Sequence, residues 1–363
     1  MTQYEARLEH DLEEIRRGVQ KVGGWVAENL HDAVLAMTRH DRTRANETII
    51  RDRAVNKLTE ELDHLSHLFV VRHLPSAGHL RFVSSVLRIT VALERIGDYS
   101  VTVCRETLQL EGPLPEGLIQ DIEVIGQQVQ NALRSALASF VDGDLEKAAA
   151  GRGMAKQVNT TYRKAVADLI ALGDRRETSA ADLFALMLAT RVLKRVGDQA
   201  ENICEQTAFI LTGETKSPKK YRILFVDRDN SLLSIMAEAF GREAYPEQGR
   251  YLSSGIDPAA AFDRGFVEFL ADRGVEIDGK PIQLEEALEK MSRHYHIVVG
   301  IGVNPSKHMD DIPFRTVVLE WDDAEIREAA SGLDGRERYQ AMYREVAQNV
   351  TNLMETLGLE TDR

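Results

Sequence analysis

The sequence predicts an α plus α/β protein: duplicated three-helix bundles with six long helices, then a small parallel-sheet α/β domain. Three observations carry that prediction. Up to residue 212 the apolar residues recur at helical spacing with few breakers. Two stretches of this region, Leu93-Glu94-Arg95-Ile96-Gly97-Asp98 and Leu193-Lys194-Arg195-Val196-Gly197-Asp198, are near copies. Past residue 220, short apolar and β-branched runs alternate with helical patterns.

Leu8, Leu12, Ile15, Val19, Val22, Val26, Leu30, Ala33 and Met37 advance by threes and fours, which puts them on one face of a long helix. Phe82, Val86, Ile89, Leu93 and Ile96 repeat the pattern, as do Ile122, Ile125, Val129, Leu133, Leu137 and Phe140. Breaks are expected near His40-Asp41, Leu74 to Gly78, Glu111 to Pro115 and Gly173-Asp174, leaving helices longer than the usual ~11 residues. Ala33 to Ala45 aligns with Ala136 to Ala148, and Val55-Asn56 with Val158-Asn159. Cys104 aligns with Cys204 behind the repeated motif. The expected divisions are 1–112 and 113–212 for the two helical units, 213–220 for a polar linker, and 221–363 for the α/β domain. In that last domain Tyr221–Val226, Tyr251–Ser253, Ile297–Ile301 and Thr316–Trp321 are the expected strands of a sheet covered on both faces.

The formal net charge of −13 argues against nucleic acid as the main partner and gives no pull toward an anionic membrane. The acidic start lacks the basic-then-apolar order of a signal peptide. With only two cysteines, outside any zinc-like spacing, a cytoplasmic protein is expected. Both thiols are expected as small buried core groups.

Glu94 and Asp98 lie four apart, so their carboxylates share a helix face and can share a metal ion. Gly97 and Gly197 each cost roughly 1 kcal/mol against alanine inside a helix, which points to close backbone approach. A solvated charged face with tight packing beneath is the other reading of the same residues. His64 and His67 form a second, incomplete ligand pair.

Paired three-helix units with Leu93-Glu94-Arg95-Ile96-Gly97-Asp98-Tyr99 late in the third helix resemble the PhoU family of phosphate-uptake regulators, over about residues 1–212. The resemblance implies a regulator without catalysis that restrains a phosphate-specific ABC transporter and its sensor kinase. The transporter ATPase and the kinase are the expected partners, with membrane association only through them. It also implies iron or another divalent metal on acid-x-x-x-acid motifs. The first copy keeps Glu94 and Asp98, with Asp52 and Asn56 on the preceding helix. The second copy reads Lys194 and Asp198, with Ala155 and Asn159. A lysine beside a cation is repulsive, so the second site is expected to be lost. A homodimer is expected from an apolar face of the helical part.

The α/β domain opens with a hydrophobic strand running through Asp227-Arg228-Asp229-Asn230-Ser231-Leu232-Leu233-Ser234 into a helix. This run resembles the low-molecular-weight tyrosine phosphatase and arsenate reductase family in Asn230-Ser231 and in Met236-Ala237-Glu238-Ala239. Ser253-Ser254-Gly255 and Trp321-Asp322-Asp323 add weaker likenesses. Asp227 stands where that family has its nucleophilic cysteine, and Leu233 where it has the phosphate-clamping arginine. Asp227 and Asp229 repel a phosphate dianion, so a degenerate, inactive loop is expected. Two alternatives remain. Asp227-x-Asp229 also resembles the opening of magnesium-dependent aspartyl phosphohydrolases, and the helical repeat alone also suits a metal-binding protein.

Overall fold

The computed structural model describes residues 3–175, 178–214, 220–277, 279–290, 295–313 and 315–358. Contacts divide the chain into two compact units, Met1–Lys216 and Ser217–Arg363.

The first unit holds six long helices: α1 (Gln3–Thr38), α2 (Arg42–His73), α3 (Ala77–Gln109), α4 (Glu116–Asp142), α5 (Leu145–Arg175) and α6 (Ala180–Thr212). Polar caps set several of the ends. Asp41 accepts the Arg44 N–H at 2.9 Å before α2, and Ser179 accepts the Asp182 N–H at 3.1 Å before α6. The break between α4 and α5 lies at Gly143-Asp144, a position absent from the expected breaks. Gly143 ends α4 in the left-handed conformation at φ 63°, and Asp144 then accepts the Glu146 N–H at 2.8 Å. Helix α5 ends at Arg175, beside the break expected near Gly173-Asp174. Of the polar linker, residues 215–219 lie outside the described residues.

The apolar stripes read from the sequence all turn inward. Leu12 through Met37 on α1, Val86 to Ile96 on α3 and Ile122 to Phe140 on α4 join one continuous core with Leu193, Val196 and Ile203 of α6. Helices α3 and α6, which carry the two copies of the repeated motif, pack against each other along this core. Small residues set the closest approaches. A Cβ at Gly126 of α4 would lie 2.6 Å from Val34 Cγ1 on α1, and one at Gly23 equally close to Leu137 Cδ2.

The second unit is a four-stranded sheet. Its strands are β1 (Tyr221–Asp227), β2 (Gly249–Gly255), β3 (Ile297–Ile301) and β4 (Val317–Trp321), in the order β2-β1-β3-β4. Every pair is parallel, with Phe225 opposite Ser253 on one side and Val299 on the other. Because all strands run the same way, helices cover both faces and β1 and β3 are almost wholly apolar. Ile223, Phe225, Ile297 and Val299 face α7 (Leu233–Ala244), α8 (Arg264–Ala271) and α11 (Gly335–Thr356). Leu224, Val226 and Val298 face α9 (Leu284–Lys290) and Tyr295. A 3-10 turn, η1 (Pro305–His308), and α10 (Ala324–Ala329) complete the order.

Two glycine substitutions on the helical unit separate packing from propensity. Gly126→Leu, which drives side-chain atoms into Val34, should lower stability by about 1–3 kcal/mol. Gly24→Ala, where a Cβ meets nothing within 4 Å, should raise it by up to about 1 kcal/mol. Denaturant unfolding of the two variants measures both.

Candidate functional sites

The first candidate site lies where α2 meets α3. Asp52 is buried, whereas Glu94 and Asp98 are exposed on α3. The carboxylates are neighbours electrostatically. Burial pushes the Asp52 carboxyl above its ordinary range, and the charges of Asp98 and Glu94 push it further, against an Asn56 hydrogen bond and Arg105. The Asn56 amide donates to Asp52 Oδ2 at 3.4 Å, but Asp52 Oδ1 is buried with no hydrogen-bond partner. Gly97 makes room for that oxygen, since a Cβ there would sit 2.8 Å from it. The close approach expected at Gly97 is therefore an approach to a carboxylate.

The second copy differs in each respect. At Gly197 a Cβ would meet Val158 at 3.4 Å and the Ala155 carbonyl oxygen at 3.6 Å, both ordinary contacts, and Ala155 replaces the buried acid. Lys194 Nζ donates to Asp198 Oδ1 at 2.8 Å, so the Asp198 carboxylate already holds a cation, the ammonium of its own helix. Among the described residues none of Asp52, Glu94, Asp98 and Asp198 belongs to a trio whose ligand atoms lie within 4.8 Å of one another. His64 and His67 are exposed, and His67 Nδ1 lies 2.9 Å from the Asp63 carbonyl. Among the described residues, one trio brings ligand atoms within 4.8 Å of one another, His10, Asp11 and Glu14. Of these, Asp11 is already paired with His73 Nε2 at 2.8 Å. Cys104 and Cys204 are fully buried, and burial pushes their thiols up to about 12 and about 11.

The second candidate site is the β1–α7 loop at the carboxyl end of the sheet. Asp227 ends β1 and is only 5% exposed. Its Oδ1 accepts the Asn230 N–H at 2.6 Å and its Oδ2 accepts the Ser234 N–H at 2.9 Å. Burial pushes this carboxyl up, while the Ser234 and Asn230 amides pull it back. Asp229 turns the other way: its Oδ1 accepts the Ser231 N–H at 3.0 Å and the Ser231 hydroxyl at 2.8 Å. Leu233 is buried in the core.

Asn230 organises the loop. It takes the left-handed conformation at φ 52°, which asparagine tolerates better than most residues. Its Nδ2 donates to Ser234 Oγ at 3.0 Å and Ser253 Oγ at 2.9 Å, and its Oδ1 accepts the Ile282 N–H at 2.9 Å. Gly255 allows this, because a Cβ there would lie 2.8 Å from Asn230 N. The same network reaches a cleft of about 640 Å³ beside α7. Glu238 lies in this cleft, and burial raises its carboxyl against Ser253 and Arg242. Glu238 and its cleft had no signal in the sequence beyond membership of the Met236–Ala239 run. Asp322 and Asp323 are used locally: Asp322 accepts the Ala324 N–H at 3.0 Å, and Asp323 pairs with Arg327.

Comparison with known proteins agrees with the helical reading. The PhoU domain family matches twice, over residues 19–107 and 122–207. A protein of Pseudomonas putida, the phosphate-specific transport system accessory protein PhoU homolog, is 30% identical over 205 residues. The match spans 56% of this chain and 80% of that protein. The crystal structure of PhoU from Pseudomonas aeruginosa superposes with a TM-score of 0.55 at 29% identity, over 57% of this chain and 99% of that one. The chain belongs to the PhoU family. The crystal structure of an arsenate reductase from Archaeoglobus fulgidus matches at 23% identity and a TM-score of 0.28, over 37% of this chain and 98% of that one. Among the described residues no helix is long and apolar enough to cross a membrane.

The raised carboxyl of Asp52 has a stability consequence. In the unfolded chain it ionises at the ordinary carboxylate value, and in the folded chain only at higher pH. Folding stability is therefore lost as pH rises through that interval, and the deficit persists at neutrality. Asp52→Asn should raise the melting temperature of the helical unit at pH 7. That gain should shrink once the pH falls below the ordinary carboxylate value; calorimetry at the two pH values measures it.

Proposed function

We propose that the chain is a non-enzymatic regulator of phosphate uptake and phosphate homeostasis. It acts from the cytoplasm by contact with a phosphate ABC transporter and its sensor kinase system, as a homodimer. The observation that carries this reading is the double PhoU-domain match across the helical unit, with relatives named accessory proteins of phosphate-specific transport. The fused α/β unit has no cysteine, carries Asp227 and Leu233 where the resemblance expects the loop cysteine and arginine, and both oxygens of Asp227 are engaged by backbone amides. That engagement argues against Asp227 as a magnesium-assisted nucleophile, which needs a free carboxylate oxygen aimed at phosphorus. Affinity capture of the tagged chain in phosphate-rich and phosphate-poor cells should recover transporter subunits in at least one condition; recovery in neither sinks the reading.

A metal role at the first repeat is favoured by one specific observation, the buried and unpartnered Asp52 Oδ1 opposite Gly97. In this reading Asp52, Glu94 and Asp98 would hold the cation, drawing closer than they stand now, and it would offset the charges of Asp98 and Glu94 that raise the Asp52 carboxyl. The second repeat does not fit one, since Ala155 gives no ligand and Lys194 occupies Asp198. Metal analysis of the purified protein should find divalent metal or iron that falls at least severalfold in Glu94→Ala. An equal content in both proteins would exclude the site.

A further inference from the structure

Near the start of α1 and at the end of α2 stands a set of donor groups that neither the repeated motif nor the α/β unit uses. His10, Asp11 and Glu14 each bring a ligand atom within 4.8 Å of the other two. Steps of one, three and four residues keep these side chains on neighbouring rows of one helix surface. His10 and Glu14 are exposed, so their lone pairs stand open to solvent.

The observation that points to a ligand comes from a different helix. His73 ends α2 with its side chain only 6% exposed. Tyr4 meets its ring edge-on at 5.7 Å between centroids, and Phe69 packs against it at 4.9 Å. Its Nε2 lies 2.8 Å from Asp11 Oδ2, which as a carboxylate oxygen can only accept, so Nε2 carries the proton. Its Nδ1 is buried with no partner. A buried imidazole with one bare nitrogen is costly, and what it achieves is a fixed Asp11. Histidine and carboxylate pairs orient metal ligands in this way, with one partner on the ion and the other behind it. Arg72 Nη1 lies 3.6 Å from the same Asp11 oxygen, on a side chain 58% exposed, where solvent screens its charge.

We propose that His10, Asp11 and Glu14 form a binding site for a transition-metal dication, zinc first, with His73 as the positioning residue behind Asp11. One imidazole and two carboxylates suit an ion of borderline softness, whereas magnesium and calcium prefer oxygen throughout. Three protein donors leave a coordination position to water, the open form of a zinc site. The site is separate from the carboxylates of the first repeat, because Asp52 lies about six turns, roughly 30 Å, back along α2 from His73. The ion ties the first turns of α1 to the end of α2 through Asp11 and His73. Three donors on an exposed face release it to a chelator, so washed protein carries no metal here.

The test uses the full chain with Glu94→Ala, which breaks the carboxylate pair of the first repeat, after a chelator wash. Titration calorimetry with zinc chloride should show one ion per chain, and magnesium chloride over the same range should show none. His10→Ala and Glu14→Gln, both at exposed positions, should each weaken zinc binding by at least about tenfold. His73→Phe should weaken it about tenfold, and His73→Gln, which returns an N–H near the place of Nε2, should restore most of the loss. Zinc at ten times its dissociation constant should raise the melting temperature of the helical unit by roughly 3–6 °C. It should also protect His10 from carbethoxylation, read by mass spectrometry, and leave the exposed His64 and His67 as reactive as before. The proposal is overturned by absence of zinc binding, by undiminished binding in His10→Ala, or by magnesium binding as tight as zinc. Protection of His64 and His67 in place of His10 overturns it too, and equal affinity in His73→Phe overturns the positioning role. No readout depends on Glu94, so failure here is distinguishable from failure of the first-repeat site.

Discussion

Helices α3 and α6 lie against each other along the core of the first unit, and each brings one copy of the repeated motif. Their apolar faces, Leu93, Ile96 and Cys104 on one and Leu193, Val196 and Cys204 on the other, are fully buried. That burial is the main favourable term for a unit with no disulfide between its cysteines. The remaining four helices complete the core around this pair, with Gly23 and Gly126 letting α1 and α4 approach closely. Because both repeats share one core, the motif residues that face away from it are free to differ between copies without disturbing the frame.

That freedom explains the unequal chemistry of the repeats. In the first copy burial and the charges of Asp98 and Glu94 raise the Asp52 carboxyl and Asp52 Oδ1 lacks a partner, a costly arrangement for a buried polar group. In the second copy Lys194 supplies the opposing charge from within the helix. The β1–α7 loop reaches internal balance by the opposite exchange: there backbone donors converge, and Asp227 supplies the anion. Charge is thus answered inside the chain at two places and left unanswered at one, and the unanswered place is where a partner from outside is expected.

Much of this was legible without coordinates. The helical stripes, the break at His40-Asp41 and the four strands follow from local periodicity and turn chemistry, which depend on neighbours a few residues away. The Gly143-Asp144 break carried a recognisable turn signal in Asp142-Gly143-Asp144, yet the apolar beat around it masked the interruption. Lys194 with Asp198 was also readable, being four apart on one helix. Glu238 was not, because an acidic residue in a helix gives no local sign that the opposite side of its turn is closed off by β2.

The amino-acid sequence by itself determined the duplicated helical frame, the parallel α/β unit after it, and the asymmetry between Glu94 and Lys194. Tertiary structure alone decided that Asp52 is buried on α2 where the charges of Asp98 and Glu94 on α3 reach it. It also decided that Gly97 faces a carboxylate, and that the Asp227 side chain turns back into the amides of its own loop. The physical reason is that periodicity is a short-range property, whereas solvation and hydrogen-bond partnership are assigned only when distant segments exclude water from the same place.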